Sequence, residues 1–228
     1  MPSMKIQVSR FDPDVDVAPR LQEFVIPAAY GRNVLQALIY IYDNVDSTLA
    51  FCYGCRLKNC GLCGVSINGK PRLACMTELR DGMVVEPMAK LPLLRDLMID
   101  RAWLFSTLER LQLYIPDNLP PESFEVLVEP EEHKQLMKCT ECLCCLSACP
   151  TYRSDEASVG GPFHFVKLAQ LHYDFRDPLS RPRQALELGV ERCSSCRKCS
   201  CPMGVKIYKL AVEPLLKEAL LLSPAGRS

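Results

Sequence analysis

The stretch Cys55-Arg-Leu-Lys-Asn-Cys60-Gly-Leu-Cys63-Gly64 carries three cysteines in a four-then-two spacing, and Cys75 follows after eleven intervening residues. Glycines in the run favour a tight loop whose amide N–H groups can turn inward toward sulfur. The uneven spacing is typical of ligands to a two-iron cluster, whereas structural zinc prefers evenly paired cysteines. The stretch therefore predicts a [2Fe-2S] cluster held by Cys55, Cys60, Cys63 and Cys75, with a structural zinc site as the alternative.

Two further cysteine runs lie in the second half of the chain. The second run is Cys139-x2-Cys142-x2-Cys145-x3-Cys149-Pro150. This is the bacterial ferredoxin pattern, in which the fourth cysteine binds the other of two clusters. The third run is Cys193-x2-Cys196-x2-Cys199-x-Cys201-Pro202. It is the candidate to exchange its last cysteine with that of the second run, so that each run supplies one ligand to the other run's cluster.

The two runs together predict two clusters with exchanged ligands. One [4Fe-4S] cluster is assigned to Cys139, Cys142, Cys145 and Cys201. The third centre is assigned to Cys149, Cys193, Cys196 and Cys199. Only one residue separates Cys199 from Cys201 instead of the usual three, so which of these two serves which cluster stays open. Cys52 and Cys144 are surplus. Cys52 is expected to be a small buried side chain, the usual state of a non-ligand cysteine, and Cys144 a bystander, because Cys145 already holds the required spacing.

Composition limits the class of protein. The chain has 228 residues, 48% of them hydrophobic, and its 27 basic and 27 acidic residues give a formal net charge of zero. A nucleic-acid-binding protein needs an excess of positive charge, so no nucleic-acid partner is expected. The first ten residues lack the apolar core of a signal peptide, and no apolar run is long enough to span a membrane. The sequence therefore predicts a reducing, cytoplasmic setting, where many cysteines indicate metal or redox chemistry.

Periodicity predicts two domains in an α+β chain. Residues 1–95 read as strands around one helix, Val34 to Asn44, with an Asn68-Gly69 hairpin turn. Residues 96–228 read as helices, including Asp96 to Leu113, Gly161 to His172, Arg183 to Arg192 and the tail Leu210 to Leu222. The boundaries predicted are 1–95 for a plant-type [2Fe-2S] ferredoxin domain of β-grasp fold and 96–228 for an all-α bacterial-type two-cluster ferredoxin domain. The proline-rich stretch from 116 to 130 is expected to be a loop.

The order of the motifs resembles one family over essentially the whole chain. The matching segments are Arg10-Phe-Asp-Pro13, Cys60-Gly-Leu-Cys-Gly64, Leu73-Ala-Cys75, Arg95-Asp-Leu97 and Gly161-Pro162. Together with the cysteine runs they resemble the iron–sulfur subunit of succinate dehydrogenase and fumarate reductase. The resemblance implies an electron-transfer subunit that works beside a flavoprotein carrying FAD and passes single electrons toward a quinone or another acceptor. It also implies that the dicarboxylate site lies in the flavoprotein, in agreement with the lack of a G-x-G-x-x-G fingerprint here.

Three positions depart from the family pattern. Cys196 stands where most members have an aliphatic residue, which implies a third centre of the [4Fe-4S] type, with [3Fe-4S] as the alternative. Ser154 replaces a tryptophan of the quinone pocket, and Ser194 replaces a histidine. These differences are similar to those of a non-classical branch, in which a cysteine-rich subunit resembling heterodisulfide reductase takes the place of the usual membrane anchor.

Three functions follow as hypotheses. The first is the iron–sulfur subunit of a succinate dehydrogenase or fumarate reductase complex, bound peripherally at the cytoplasmic face of a prokaryotic membrane. The second is a similar electron-transfer subunit of another flavin-linked or heterodisulfide-reductase-like oxidoreductase. The third is a zinc-stabilised interaction module without redox activity. The direction of the reaction in the cell stays open, because cluster potentials span roughly −700 to +450 mV.

Overall fold

The structure is a computed structural model that describes residues 3–115, 129–153 and 159–222. Contacts divide the chain into two compact units, residues 1–100 with 140–148, and residues 101–139 with 149–228. The proline-rich stretch, predicted as a loop, lies for the most part outside the described residues. Within the described residues, no helix is long and apolar enough to cross a membrane.

The first unit is built on a mixed sheet. Its elements are β1 (Ser3–Arg10), β2 (Arg20–Pro27), α1 (Val34–Asn44), β3 (Gly64–Ile67), β4 (Lys70–Leu73), β5 (Met83–Glu86), β6 (Leu93–Arg95), β7 (Met98–Ile99) and α4 (Cys144–Ala148). Five strands pair in the order β2-β1-β5-β3-β4, with β1 and β5 parallel and the other pairs antiparallel. The strands β6 and β7 form a separate hairpin.

Sequence patterns explain the core of this unit. Ile6 and Val8 alternate along β1 and are fully buried, as a strand with one covered face requires. Helix α1 begins at the residue predicted, because Asn33 caps it by accepting a hydrogen bond from the amide of Gln36 at 2.9 Å. Its apolar side packs into the same core, with Leu38 and Ile41 buried. The helix predicted over Val34 to Asn44 is confirmed.

The turn between β3 and β4 follows its sequence signature. Asn68 and Gly69 both have left-handed backbone, with φ of 50° and 73°. Two such residues in succession make the tight turn that joins antiparallel strands with the correct twist. The hairpin prediction is therefore confirmed, and it places Leu73 and Ala74 immediately before Cys75.

The second unit is helical. Its elements are α2 (Trp103–Arg110), α3 (Glu131–Leu136), α5 (Pro162–His172), α6 (Arg181–Glu187) and α7 (Glu213–Leu222). A turn of π-helix, Tyr208–Val212, leads into α7, whose Leu215 and Ala219 are fully buried. The predicted tail helix is therefore confirmed, as is the helix from Gly161 to His172. With a strand-based first unit and a helical second one, the α+β prediction is confirmed.

Two helix predictions were wrong at their ends. Asp96 to Leu113 was predicted as one helix, but the chain forms the β6–β7 hairpin first and helix begins only at Trp103. Asp96 has a left-handed backbone, φ 46°, and its carboxylate accepts long-range hydrogen bonds that override the local apolar spacing. In the second case α6 begins earlier than predicted and ends at Glu187, because Gly189 turns left-handed and a short 3-10 turn follows.

Candidate iron–sulfur centres

The loop of the first cysteine run directs backbone amides at sulfur. The N–H groups of Leu57, Asn59 and Cys60 donate hydrogen bonds to Cys55 Sγ at 3.3, 3.2 and 3.2 Å. Arg56 and Lys58 make this possible, because both adopt left-handed backbone with φ of 58° and 53°. Such conformations in residues other than glycine cost energy and cluster at functional sites. A loop of this shape stabilises negative charge on a thiolate ligand.

The thiols of this run differ in their readiness to ionise. The backbone N–H groups of Leu57 and Asn59 lower the pKa of Cys55 to about 7. Burial raises the pKa of Cys63 to about 12, and the neighbouring thiols of Cys75 and Cys60 add to this increase. Cys63 is therefore close enough to Cys75 and Cys60 for their charges to repel. A positively charged iron core removes that repulsion, so these four residues fit a metal cluster.

The second cysteine run is divided between the two units. Thr140 to Ala148, with Cys142 and Cys145, belongs to the first unit, while Cys139, Cys149 and Cys201 belong to the second. Cys142 and Cys145 are buried. Neither unit contains all four predicted ligands of the second centre, so this ligand set stays a prediction.

Two hydroxyl groups in the segment 140–148 are buried without a partner. Thr140 Oγ1 and Ser147 Oγ have no hydrogen bond to any described residue. A buried polar atom that is unsatisfied in the protein alone usually has a partner such as an ion or a bound group. Cluster sulfides accept hydrogen bonds, so two unpartnered donors in the segment that carries Cys142 and Cys145 fit a bound cluster. Cysteine spacing gave no signal for these two residues.

A third group of cysteines comes together inside the second unit. Burial raises the pKa of Cys199 to about 12, and the thiols of Cys193, Cys149 and Cys196 raise it further. Burial raises the pKa of Cys193 to about 11, with the thiols of Cys149 and Cys196 as further causes. The hydroxyl of Thr151 lies 3.3 Å from Cys149 Sγ. Cys193 and Cys199 thus both lie within electrostatic range of Cys149 and Cys196, an arrangement of the four predicted ligands that fits a metal cluster better than four separate thiols.

The described residues contain no group of three or more Cys, His, Asp or Glu side chains arranged to hold a single metal ion. A polynuclear cluster distributes its cysteines over several irons and does not need them around one point. Support for clusters comes instead from the amide donors, the mutual charge effects and the unpartnered hydroxyls.

The other singled-out residues have mixed outcomes. Cys52 is only partly buried, so the prediction of a buried side chain is wrong there, whereas Cys144, for which no burial was predicted, is 1% exposed. Ser194 is exposed at the end of a 3-10 turn, and Ser154 lies outside the described residues. His164 is a packing histidine: it is buried, and its ring centroid lies 6.0 Å from that of Trp103.

Comparison with protein families agrees with the two-part organisation. A family model described as "2Fe-2S iron-sulfur cluster binding domain" matches residues 5–106, and one described as "4Fe-4S dicluster domain" matches residues 135–205. The first region contains the whole first run. The second contains every cysteine of the second and third runs.

Named relatives match over most of the chain. A fumarate reductase iron-sulfur subunit of Mycobacterium tuberculosis is 36% identical over 90% of this chain and 88% of its own length. The corresponding Escherichia coli O157:H7 protein is 33% identical over the same shares. A chain of the Mycobacterium smegmatis Sdh1 complex superposes with a TM-score of 0.81, at 26% identity, over 97% of this chain and 98% of that chain.

Other relatives are longer. A fumarate reductase (CoM/CoB) subunit from Methanothermobacter marburgensis is 32% identical over 93% of this chain, which spans only 43% of that relative. An uncharacterized iron-sulfur protein of Methanocaldococcus jannaschii is 35% identical with the same coverage on both sides. The shorter bacterial relatives nevertheless match over most of their length, and their identity confirms the family predicted from the cysteine runs. The chain belongs to the family of fumarate reductase and succinate dehydrogenase iron–sulfur subunits.

Proposed function

We propose that this chain transfers single electrons as the iron–sulfur subunit of a succinate dehydrogenase or fumarate reductase complex. The observation that carries the proposal is the order of the two matched regions, a [2Fe-2S] domain followed by a dicluster domain. That order extends over most of the length of a fumarate reductase iron-sulfur subunit at 36% identity.

Three centres are proposed, each on four cysteines. The first is a [2Fe-2S] cluster on Cys55, Cys60, Cys63 and Cys75. The second is a [4Fe-4S] cluster on Cys139, Cys142, Cys145 and Cys201, a set that rests on sequence spacing. The third is a [4Fe-4S] cluster on Cys149, Cys193, Cys196 and Cys199, a set supported by the mutual charge effects of these thiols.

The protein's own residues set the conditions for that chemistry. Iron–sulfur clusters, when bound, accept and release one electron at a time at potentials that the surrounding hydrogen bonds and burial adjust. The amides of Leu57, Asn59 and Cys60 stabilise negative charge at Cys55. Burial at Cys63 and Cys199 has the opposite effect and disfavours an extra negative charge. The chain thereby provides different surroundings for the first and third centres.

The proposed partners follow from the family. A flavoprotein with FAD would hold the dicarboxylate and exchange electrons with this chain, which would not bind the dicarboxylate itself. A membrane anchor, or a cysteine-rich subunit resembling heterodisulfide reductase, would take the electrons on toward a quinone or another acceptor. The complex would lie at the cytoplasmic face of a prokaryotic cell membrane.

A second candidate has an observation of its own. The similarity to the Methanothermobacter marburgensis fumarate reductase (CoM/CoB) protein covers 93% of this chain. This favours a role beside a heterodisulfide-reductase-like partner that handles thiols instead of a quinone. The cysteine Cys196 is compatible with either partner.

The test is anaerobic purification of the tagged chain from its native host, with its partners attached. We expect a co-purifying FAD protein, iron and sulfide in cluster ratios, and bleaching of the visible cluster absorbance on adding succinate. Oxidation of the reduced complex by a quinone analogue supports the first candidate, and oxidation by a heterodisulfide supports the second. A colourless protein with stoichiometric zinc would refute both.

A further inference from the structure

Two cysteine-bearing loops of the first unit touch through their backbones at Gly61. A methyl group on Gly61 would lie 2.0 Å from the carbonyl oxygen of Thr140 and 3.0 Å from the amide nitrogen of Cys142. The first distance is one that real side-chain carbons essentially never show, and the second is tighter than most of them show, so no other residue fits here without separating the loops. Gly61 lies between Cys60 and Cys63, and Thr140 and Cys142 belong to the second run.

A second glycine repeats the contact on the other side of Cys63. A methyl group on Gly64 would lie 2.9 Å from the carbonyl oxygen of Cys142. Gly64 begins β3, so the contact is held by a strand of the main sheet. The segment from 140 to 142 is thus pressed against both glycines, and the backbone of Cys142 is common to the two contacts.

The segment that meets these glycines is itself held firmly. Leu143 and Leu146 are 1% and 0% exposed and anchor it, and α4 packs against β4. Glu141 and Leu143 both have left-handed backbone, with φ of 55° and 64°. Strained residues persist only where the surroundings enforce them, and they gather at functional sites. The close approach is therefore a specified feature of the fold and not a chance of loop packing.

We propose that Gly61 and Gly64 are positioning residues for the one-electron step between the first and second centres. This inference rests on the proposed function. Electronic coupling falls steeply with distance and is stronger through bonds and tight contacts than across a gap. With both clusters bound, the step would move one electron from the donor centre, which is oxidised, to the acceptor centre, which is reduced. No bond would form or break and no proton would move. Direct backbone contact beside Cys60, Cys63 and Cys142 would give that electron a short route.

Conformation alone does not account for Gly61. Gly69 and Gly82 have nearly the same left-handed backbone, with φ of 73° and 72° against 69° at Gly61. A methyl group on either of them would meet nothing within 4 Å. Alanine at those positions therefore imposes the same backbone strain without pushing two cysteine-bearing loops apart, and both serve as matched controls.

The experiment compares four variants of the cluster-loaded full chain: Gly61→Ala, Gly64→Ala, Gly69→Ala and Gly82→Ala. Each is reduced stepwise with a chemical reductant, so no flavoprotein or succinate is needed. Electron paramagnetic resonance measures how reduction of the second centre speeds the spin relaxation of the first. Flash photoreduction measures the transfer rate between the two centres, and iron content and midpoint potentials are recorded for each variant.

We expect Gly61→Ala and Gly64→Ala to retain iron and midpoint potentials while the relaxation enhancement weakens and transfer slows severalfold. The two controls should match the wild-type protein. Unchanged coupling and rate in both loop variants would overturn the proposal, as would a wild-type protein without relaxation enhancement. Loss of clusters in both loop variants with loaded controls would also overturn it, because the glycines would then serve assembly. If Gly64→Ala binds its clusters and Gly61→Ala does not, the coupling between the two centres measured in Gly64→Ala decides whether the proposal stands. Normal coupling between the centres, together with a complex purified with its partners whose clusters succinate does not reduce, would refute the proposed function and leave this proposal standing.

Discussion

Arg10 and Asp96 form a buried ion pair, in which Arg10 Nε donates to Asp96 Oδ1 at 3.1 Å across 86 positions of sequence. The same carboxylate accepts the backbone N–H groups of Phe11 and Ala50, both at 2.8 Å. This clamp joins the end of β1, the β6–β7 turn and the segment that leads to the first cysteine run. It explains why the motifs Arg10-Phe-Asp-Pro13 and Arg95-Asp-Leu97, which lie far apart in the sequence, belong to one unit.

Asp96→Asn should destabilise the first unit by about 3 kcal/mol, the low end of the cost of breaking a buried pair, since Arg10 keeps Asp46 as a partner. Asparagine tolerates the left-handed backbone, so the loss reports the charge. Denaturant titration of the first centre's visible absorbance measures it. The control is Glu78→Gln in an exposed pair with Arg80, for which we expect a change within about 0.5 kcal/mol. Equal effects of the two changes would contradict the prediction.

Arg181→Lys should destabilise the second unit by about 3 kcal/mol or more. The Arg181 side chain is fully buried, is paired with Asp177, and donates to the carbonyl oxygens of Leu111 and Gln112 at 2.8 and 2.9 Å. Lysine cannot reproduce this forked set of hydrogen bonds. Thermal unfolding followed by the fluorescence of Trp103 measures the loss. Arg183→Lys, at an exposed position of the same helix, should change the melting temperature little.

Acidification should weaken the second unit through His164. Burial lowers the pKa of this imidazole from 6.5 to about 4, with the charge of Arg110 as a second cause. Between these values the unfolded chain binds a proton that the folded chain does not. Stability is therefore complete above pH 6.5 and falls as pH drops toward 4, by about 3 kcal/mol in all.

The measurement is denaturant unfolding at several pH values, followed by the fluorescence of the adjacent Trp103. His164→Gln keeps a side-chain acceptor for the amide of Gly161, which donates to the imidazole Nδ1 at 3.1 Å. This variant should lose that part of the pH dependence which lies between 4 and 6.5. A wild-type slope retained in the variant would assign the effect to other groups.

Cys196→Val should convert the third centre from four irons to three. The oxidised variant should then show the paramagnetic signal of a [3Fe-4S] cluster, which the oxidised wild-type protein should lack. Electron paramagnetic resonance of anaerobic samples gives both results. Cys52→Ala serves as the control and should leave the spectrum unchanged. A three-iron signal in the wild-type protein would show that Cys196 is not a ligand.

Thr140→Val should lower the midpoint potential of the second centre. A hydroxyl that donates to a cluster sulfur stabilises the more negative, reduced state. A net hydrogen bond of about 1 kcal/mol corresponds to a shift on the order of 40 mV for one electron. Ser147→Ala should act in the same direction. Ser106→Ala is the control, because that hydroxyl already donates to the carbonyl oxygen of Trp103 at 2.9 Å. Unchanged potentials in both test variants would exclude the hydroxyls as donors to the cluster.

The cysteine spacing determined the class of chemistry and the family. Ligand spacing is local information, because a loop that wraps a cluster needs its cysteines at set intervals along the chain. The same holds for Asn68-Gly69, whose turn conformation depends on two adjacent residues, and for α1, which its capping residue and apolar side define. These features were predictable from the residues alone.

Only the tertiary structure decided where the second run lies and what surrounds it. No local pattern indicates that Gly61 meets Thr140, that Thr140 Oγ1 is buried without a partner, or that Asp96 turns left-handed to pair with Arg10. Each depends on contacts between residues far apart in sequence, which arise when the sheet and its loops pack. The sequence therefore determined which residues carry the chemistry, and packing decided how closely their loops approach one another.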